Sequence, residues 1–401
     1  MAKRVVLAYS GGLDTSVLVR WMQEEMGVEE VFCLCADVGQ ATTGDWDAVK
    51  ERAFAAGAAD IEVRDLRAEF ADEILTPALK ANAKYEGKYP LVSALSRPII
   101  AKHLVLAARQ WGADSVAHGC TGKGNDQVRF EVSVRALAPD LEVLAPVRHW
   151  GFTREDSILY AYRHNIPITA TKEKLYSIDD NLWGRAIECG EMEDPWAAPP
   201  PGVWAMTVPT AAEPREVVIS FEEGKPVSLD GATLPFHELI EQMNGIVGAY
   251  GWGRLDMVEN RRVGIKSRET YECPAALALL LAHSDLEDIT LERDVHHEKA
   301  RLEPRYAELI YDGLWFSPLK RALDAFVDET QRYVTGEVRL RLESGKCFVN
   351  GRRSPHSLYD YGLATYDDAD TFRHSDSEGF VRIWGLGVQT WATRQGGTTG
   401  L

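Results

Sequence analysis

The sequence predicts an α/β protein that begins with a parallel sheet and continues into an α+β region. Over the first 168 residues, apolar strand patterns alternate with helical patterns. This order is typical of a parallel sheet covered by helices on both faces. From about Lys172 the alternation ends in a long polar stretch, and later segments combine helices with strands in which every other residue is apolar.

Strands and helices of the first part follow from these patterns. The predicted strands are Arg4–Ala8, Val31–Ala36, Ile61–Val63, Ser115–His118 and Leu141–Ala145. A helix over Arg97–Trp111 is expected to end at Gly112, because glycine readily adopts the left-handed conformation of a C-cap. Thr153 and Asp156 have the spacing of a capping box, which predicts a further helix that ends near Asn165.

The later part opens with a proline-rich stretch at 195–202, which predicts a covering or connecting loop. The elements predicted after it are a strand at Val217–Phe221, a helix at Pro235–Gly248, helices between Pro274 and Val327, and a strand pair at Val338–Leu342 and Cys347–Val349. A tail from about Thr365 is rich in aromatic residues and glycine. We favour an arm that packs against another subunit, and a disordered tail is the alternative.

The composition and net charge argue against several classes of function. A formal net charge of −17 argues against a large nucleic-acid surface. No apolar run approaches the ~18 residues that span a bilayer, and the N-terminus has no signal-peptide pattern, so we expect a cytoplasmic protein without a membrane partner. The six cysteines lack paired spacing, which predicts reduced thiols and no metal site. Cys33 and Cys35 alternate on one strand and are expected to face the same core.

A double-glycine turn joins the first strand to the first helix. In Ser10-Gly11-Gly12-Leu13-Asp14-Thr15-Ser16, the glycines allow a tight turn with exposed N–H groups, and the helix N-terminus attracts anions. The hydroxyls can donate to phosphate oxygens, and Asp14 is expected to cap the helix. The turn lacks the lysine of a Walker loop. We predict a phosphate site, with a structural turn as the alternative.

A second glycine-rich turn, residues 119–131, places amides, carboxylates and cations between a strand and a helix. Asn125 and Arg129 are four residues apart, so both side chains can address one ligand. The planar fork of Arg129 suits an α-carboxylate, and Lys123 offers a further cation near phosphate. A purely structural loop is the alternative reading.

The two turns carry a resemblance to known families. The motif Ser-Gly-Gly-Leu-Asp-Thr-Ser resembles the signature of the ATP pyrophosphatases, which cleave ATP between the α and β phosphates. The second turn, Gly119–Glu131, resembles the argininosuccinate synthase family. Further blocks that look like this family are Lys88–Leu91, Ser96–Pro98, Tyr176–Asp179, Asn181–Leu182, Gly253–Arg261, Lys266–Arg268 and Tyr271–Pro274.

The resemblance implies a set of binding residues. ATP would be contacted by Ala8, Tyr9, Ser10, Gly11, Gly12, Leu13, Asp14, Thr15, Ser16, Ala36 and Gly119. Aspartate would be bound by Thr121, Asn125 and Asp126. Citrulline would be bound by Tyr89, Asn125, Arg129, Ser177, Glu259 and Tyr271. The chain departs from the family pattern at Ala94 and Ala186, where serine is often found, and at Cys120, where alanine is common.

The implied reaction is the ATP-dependent condensation of citrulline and aspartate through a citrullyl-adenylate, with release of AMP and pyrophosphate. ATP would act as a substrate with Mg²⁺, without a prosthetic group, and the family implies a homotetramer. No catalytic residue is assigned, since the proton of the aspartate amine could go to the departing phosphate or to Asp126. The implied parts are a nucleotide-binding domain at 1–168, an α+β synthetase domain at 169–364 and an oligomerisation arm at 365–401.

Two other functions remain open at this point. A tRNA thiolation enzyme would share the phosphate turn, but it would need a basic RNA-facing surface and, usually, paired cysteines. A nucleotide-binding regulator that has lost turnover would keep the turn without the reaction. Measuring AMP formation with citrulline and aspartate, each omitted in turn, separates these functions: only a synthase should need both amino acids.

Overall fold

A computed structural model describes residues 3–40, 45–167 and 176–396. Its first part contains a five-stranded sheet in the order β3-β2-β1-β4-β5, in which all neighbouring strands are parallel. The elements of this part are β1 Arg4–Ala8, α1 Leu13–Glu25, β2 Glu30–Asp37, α2 Trp46–Ala55, β3 Asp60–Asp65, α3 Arg67–Glu69, α4 Thr76–Lys80, α5 Val92–Trp111, β4 Ser115–Ala117, α6 Asp126–Leu137, β5 Glu142–Leu144, α7 Val147–Trp150 and α8 Arg154–Arg163. A π-helical segment, Phe70–Leu75, joins α3 to α4.

Both faces of this sheet are buried, as the apolar strands predict. Along β1, Val5 and Leu7 pack into one core with Val17 and Leu18 of α1, and Val6 packs into a second core with residues of α5 and α6. The side chains alternate in this way because successive residues of a strand point to opposite faces. The predicted parallel sheet is therefore confirmed. The carboxyl ends of its strands lie at one edge, where the loops that follow them can form a binding site.

The later part contains two antiparallel sheets, with the orders β10-β9-β8-β13-β14 and β11-β12-β7-β6. Its elements are β6 Ser177–Asn181, β7 Gly184–Glu188, β8 Arg215–Glu222, β9 Lys225–Leu229, β10 Ala232–Thr233, α9 Phe236–Gly248, β11 Arg254–Asn260, β12 Lys266–Glu272, α10 Pro274–Thr290, α11 Arg293–Tyr311, α12 Pro318–Gln331, β13 Gly336–Glu343 and β14 Lys346–Arg353. The largest apolar core of the described residues joins α4 and the start of α5 in the first part to α9, α10 and the sheet of β8 and β13.

Most sequence-predicted elements are present within a few residues of their predicted bounds. Gly112 caps α5 in the left-handed conformation, and Thr153 and Asp156 form both hydrogen bonds of the capping box of α8. Cys33 and Cys35 lie in the same core, and all six cysteines are free thiols. The onset of the polar stretch at Lys172 and the 168/169 boundary lie outside the described residues.

Two features differ from the expectations. Asp14 does not cap α1; Gly12 occupies the N-cap position without a side-chain hydrogen bond, and Asp14 lies inside the first turn. The four-stranded sheet of β11, β12, β7 and β6 was not predicted, because its strands carry charged residues at positions where an apolar alternation would be expected.

Residues from Ser357 onwards form a separate compact unit with α13 Tyr361–Ala364 and α14 Asp376–Gln395. In α14 the large apolar side chains are exposed, with 78% of Trp384 accessible to solvent. Phe380 stacks on Trp384 with ring centroids 5.8 Å apart. None of the helices in the described ranges combines the length and apolar character needed to cross a membrane.

A buried polar cluster connects α10, α11 and α12. Lys299 Nζ lies 3.0 Å from the Glu287 carboxylate and 2.8 Å from that of Glu303. Asn82 and Gln331 also donate to Glu287. Burial alone would raise the pKa of Glu287, but nearby His283 and Lys299 hold this pKa below its ordinary value. Glu287 is therefore ionised at neutral pH, and Lys299 is the cation that lies against its buried charge.

Replacing Lys299 by methionine should destabilise the protein, because Glu287 would keep a buried charge without its main cation. We expect a loss of about 3–5 kcal/mol in the free energy of unfolding, measured by denaturant titration. Lys346→Met provides the matched control, since Lys346 is exposed. Equal effects of the two substitutions would contradict this role of Lys299.

Candidate active site

The first glycine-rich turn lies between the end of β1 and the start of α1. Gly11 has a φ of +73°, a conformation that favours glycine, and its carbonyl accepts a hydrogen bond from Arg52. The hydroxyls are organised around the turn: Ser10 Oγ lies 3.1 Å from Thr15 Oγ1, and Ser16 Oγ donates to the Gly12 carbonyl at 2.8 Å. The turn is thus fixed in shape, with Ser10 and Thr15 at the rim of a cavity.

This first cavity has a volume of about 420 Å³ and lies at the carboxyl edge of the parallel sheet. Of the residues expected to contact ATP, those that line it are Ala8, Tyr9, Ser10, Gly12, Thr15, Ala36 and Gly119. Gly11, Leu13, Asp14 and Ser16 belong to the same turn but do not line the cavity. Apolar side chains of Leu34, Val38 and Ile100 form another part of its wall, as a flat aromatic base would require.

A second cavity of about 400 Å³ adjoins the first. All the residues expected to bind aspartate or citrulline line it, namely Tyr89, Thr121, Asn125, Asp126, Arg129, Ser177, Glu259 and Tyr271. They come from four separate segments of the chain. The residues shared by the two cavities are Ser10, Arg97, Gly119, Cys120, Asp126 and Asp179.

The shared wall contains a charged network centred on Asp126. Its two carboxylate oxygens accept from Arg97 Nη2 at 2.7 Å and from Arg129 Nη1 at 2.8 Å. Arg97 Nη2 also donates to Asp179 at 2.6 Å. Burial would raise the pKa of Asp126, but Arg97 and Arg129 hold it at about 2. Asp126 is therefore a carboxylate at neutral pH and keeps both arginines oriented.

Asn125 and Arg129 both line the second cavity, and their side chains also bond to distant segments of the chain. Asn125 Oδ1 accepts from the backbone N–H of Arg262 at 2.9 Å, which ties the second turn to the β11–β12 hairpin. Arg129 Nε donates to the Tyr311 carbonyl at 3.0 Å. Both side chains line the second cavity while they hold distant segments together.

One side of the second cavity is formed by aromatic rings and acids. Tyr89 stacks on Tyr271 with ring centroids 4.1 Å apart, and both rings are almost fully buried. Tyr271 Oη donates to Glu269 at 2.8 Å and lies 3.2 Å from Glu259. Ser177 enters from the start of β6. These groups provide hydroxyls and carboxylates next to the guanidinium of Arg129.

Several residues of this site were not predicted as site residues. Arg97, Asp179 and Arg261 lie in sequence blocks that carry the family resemblance, but no role was assigned to them. Other residues without a predicted role are Ser93, Cys120, Glu188 and Glu269, all of which line the second cavity. Glu269 and Tyr271 are two residues apart on one strand, and this spacing is the signal that could have revealed the polar face.

The two alanines that depart from the family pattern differ in their surroundings. Ala94 is fully buried in α5 and does not line either cavity, whereas its neighbour Ser93 lines the second cavity. Ala186 lines the second cavity directly. The side chain of Ser93 thus brings a hydroxyl to the second cavity, one residue before Ala94.

The parallel sheet, the glycine-rich turn after its first strand and the cavity at its carboxyl edge define a nucleotide-binding domain of the ATP pyrophosphatase type. The family description "Arginosuccinate synthase N-terminal HUP domain" matches residues 4–167. The description "Arginosuccinate synthase C-terminal domain" matches residues 176–391. The chain belongs to the argininosuccinate synthase family.

Curated relatives agree with this assignment. The argininosuccinate synthase of Bacillus pumilus is 57% identical over 96% of this chain and 95% of its own length. That of Rubrobacter xylanophilus is 55% identical over 98% of this chain and 95% of its own. That of Gloeobacter violaceus is 53% identical over 98% of both chains.

Gly313 fixes the position of the helix that carries Arg129. Its φ is +76°, and a Cβ atom there would lie 2.8 Å from Arg129 Cα. We expect Gly313→Ala to lower the free energy of unfolding by about 1–3 kcal/mol more than Gly345→Ala, because of this overlap. Gly345 has a φ of +67° and nothing within 4 Å of a Cβ, so it isolates the backbone strain. Thermal unfolding of both variants measures the difference, and equal losses would contradict the close contact.

Proposed function

We propose that this chain condenses citrulline with aspartate at the expense of ATP, releasing AMP, pyrophosphate and argininosuccinate. Membership of the family supports this activity. The observation that carries it in the structure is the shared wall of the two cavities. A nucleotide in the first cavity and an amino acid in the second would meet at Ser10, Gly119 and Asp126.

The first step joins the two substrates at this wall. The ureido oxygen of citrulline attacks the α-phosphorus of ATP, the bond to the bridging oxygen breaks, and pyrophosphate leaves. The ureido group is a poor electrophile, and its adenylation supplies a leaving group. The second step is attack of the aspartate amine on the ureido carbon, with release of AMP. Positioning and charge neutralisation are the main contributions of the protein.

The predicted residue roles remain part of this proposal. ATP would bind along the first turn, with the N–H groups of Gly11 and Gly12 and the hydroxyls of Ser10 and Thr15 facing its phosphates. Mg²⁺ would enter with these phosphates as part of the substrate. Among the described residues, no group of three or more His, Cys, Asp or Glu side chains is arranged to hold a metal ion.

Thr121, Asn125 and Asp126 would hold aspartate close to the shared wall. Arg129 would bind the citrulline carboxylate, and Glu259 would accept from its ammonium group. Since the pKa of Asp126 is held at about 2, this carboxylate is a weak base. We therefore assign the proton lost by the aspartate amine to the departing phosphate of AMP.

The direct test is formation of AMP and pyrophosphate from ATP, with citrulline and aspartate omitted in turn. We expect AMP release to require both amino acids, and exchange of labelled pyrophosphate into ATP to require citrulline alone. Release of ADP and orthophosphate, or AMP formation independent of citrulline, would contradict the proposed function.

Arg129→Lys should weaken citrulline binding selectively, because lysine keeps the charge but loses the planar fork. We expect the citrulline KM to rise by about tenfold or more, and the ATP KM to stay within about twofold. Steady-state kinetics measure both values, with the unfolding midpoint as a check on folding. An equal rise in both KM values would contradict a specific role of Arg129 toward citrulline.

We also propose that α14 assembles copies of this chain, in keeping with the homotetramer implied by the resemblance. Phe380, Trp384, Val388 and Trp391 recur at helical spacing and are exposed. A cytoplasmic location and the absence of a nucleic-acid partner remain predictions from the sequence.

Trp384→Glu should shift the protein to a smaller assembly, because it places a charge within the apolar stripe of α14. Gln389→Glu adds the same charge on the opposite face of the helix and should leave the assembly unchanged. Sedimentation velocity of both variants measures the result. An unchanged mass for Trp384→Glu would contradict the role of α14.

A further inference from the structure

The second cavity has an excess of acidic side chains. Three arginines line it, Arg97, Arg129 and Arg261. Five carboxyl groups line it, those of Asp126, Asp179, Glu188, Glu259 and Glu269. Arg97 and Arg129 are paired with the two aspartates. The excess therefore lies on the β11–β12 side, where three glutamates share the cavity wall with one arginine, Arg261.

Within this group, Arg261 forms ion pairs with two of the glutamates. Its Nη2 donates to Glu188 at 2.7 Å and to Glu269 at 2.9 Å, and its Nε donates to Ser267 at 2.7 Å. Glu259 has no arginine among its hydrogen-bond partners in the described part of the chain. Instead, Glu259 and Glu269 approach the same hydroxyl, that of Tyr271. One hydroxyl has only one hydrogen to donate, so two ionised carboxylates would repel each other there.

The pKa of Glu259 agrees with this close approach of two carboxyl groups. Burial and the charge of Glu269 raise the pKa of Glu259 to about 8, while Tyr311 and Arg129 act in the opposite direction. Groups that face the pair from all sides are Tyr89, Arg129, Glu188, Arg261, Tyr271 and Tyr311. At neutral pH Glu259 therefore holds a proton, and the Tyr271 hydroxyl donates to Glu269.

We propose that Glu269 is a second binding residue for the α-ammonium group of citrulline, which binds between the carboxyl groups of Glu259 and Glu269, beside the Tyr271 hydroxyl that both approach. This inference deepens the proposed function and rests on it. The ammonium group supplies the missing positive charge, and the proton that Glu259 holds beforehand goes to solvent. Glu269 discriminates in favour of a free α-amino group, because an uncharged substituent would leave Glu259 protonated and would gain no ionic contact with Glu269.

Because citrulline binding displaces this proton, the citrulline KM should depend on pH. Below about pH 8, the protonated form of Glu259 competes with the ammonium group, so the citrulline KM falls as the pH rises. Above that pH Glu259 is already ionised, and this fall of the citrulline KM ends. Removing the charge of Glu269 lowers the pKa of Glu259, so the fall should then end at a lower pH.

The test measures citrulline-dependent pyrophosphate exchange with Glu269→Gln and Glu259→Gln between pH 6 and 9. At pH 8, each substitution should raise the citrulline KM by about tenfold, since each removes a charged hydrogen bond. The ATP KM should stay within about twofold. Glu269→Gln should move the pH dependence to lower pH, and Glu259→Gln should abolish it.

Asp256→Asn provides the matched control. It removes a carboxylate that pairs with Arg268 on the same hairpin, and Asp256 lines neither cavity. This variant should keep the citrulline KM and its pH dependence. The unfolding midpoint of each variant separates loss of folding from loss of binding.

The outcomes distinguish this inference from the proposed function. Exchange by the unmodified protein without citrulline would overturn the proposed function itself. If the unmodified protein requires citrulline but Glu269→Gln keeps both its KM and its pH dependence, the role of Glu269 is wrong. Equal rises in the citrulline and ATP KM values would assign Glu269 a structural role only, and this result would also overturn the inference.

Discussion

The carboxylate of Asp126 is the constraint on which the site depends. It is the first residue of α6, and it accepts from Arg97 of α5 and from Arg129 one turn further along α6. The side chain of Asp126 is partly exposed, at 28%, and each arginine forms a short charged hydrogen bond with its carboxylate. Through Arg97 the network reaches Asp179 of β6. The carboxylate of Asp126 thus links α5 to α6 and, through Arg97, to the sheet that contains β6.

This network separates two kinds of environment. On the side of the parallel sheet, the cavity wall combines backbone N–H groups, hydroxyls and apolar side chains, which suit phosphates and a flat base. On the side of the antiparallel sheet, the wall combines stacked tyrosines with closely spaced acids. Such crowding of like charges reduces stability, and it is common where a protein must bind a charged ligand.

Sequence patterns predicted the first environment far better than the second. The strands of the parallel sheet are apolar on both faces, so Val5, Val6 and Leu7 indicate a buried strand without any knowledge of its neighbours. The sheet of β6, β7, β11 and β12 escaped prediction because residues such as Glu259 and Glu269 face a polar cavity. Their burial depends on partners that are distant in sequence, including Arg129 and Arg261, and no local pattern contains that information. The resemblance named Glu259 and Tyr271, but it gave no role to Arg97 or Glu269.

The hydrogen bond from Arg129 to the carbonyl of Tyr311 joins residues 182 positions apart. During synthesis, the first glycine-rich turn and its sheet leave the ribosome long before Tyr311 is made. Until then the guanidinium of Arg129 has no acceptor at this position. The place of Arg129 in the second cavity therefore depends on the last residue of α11, which is made long after the first glycine-rich turn.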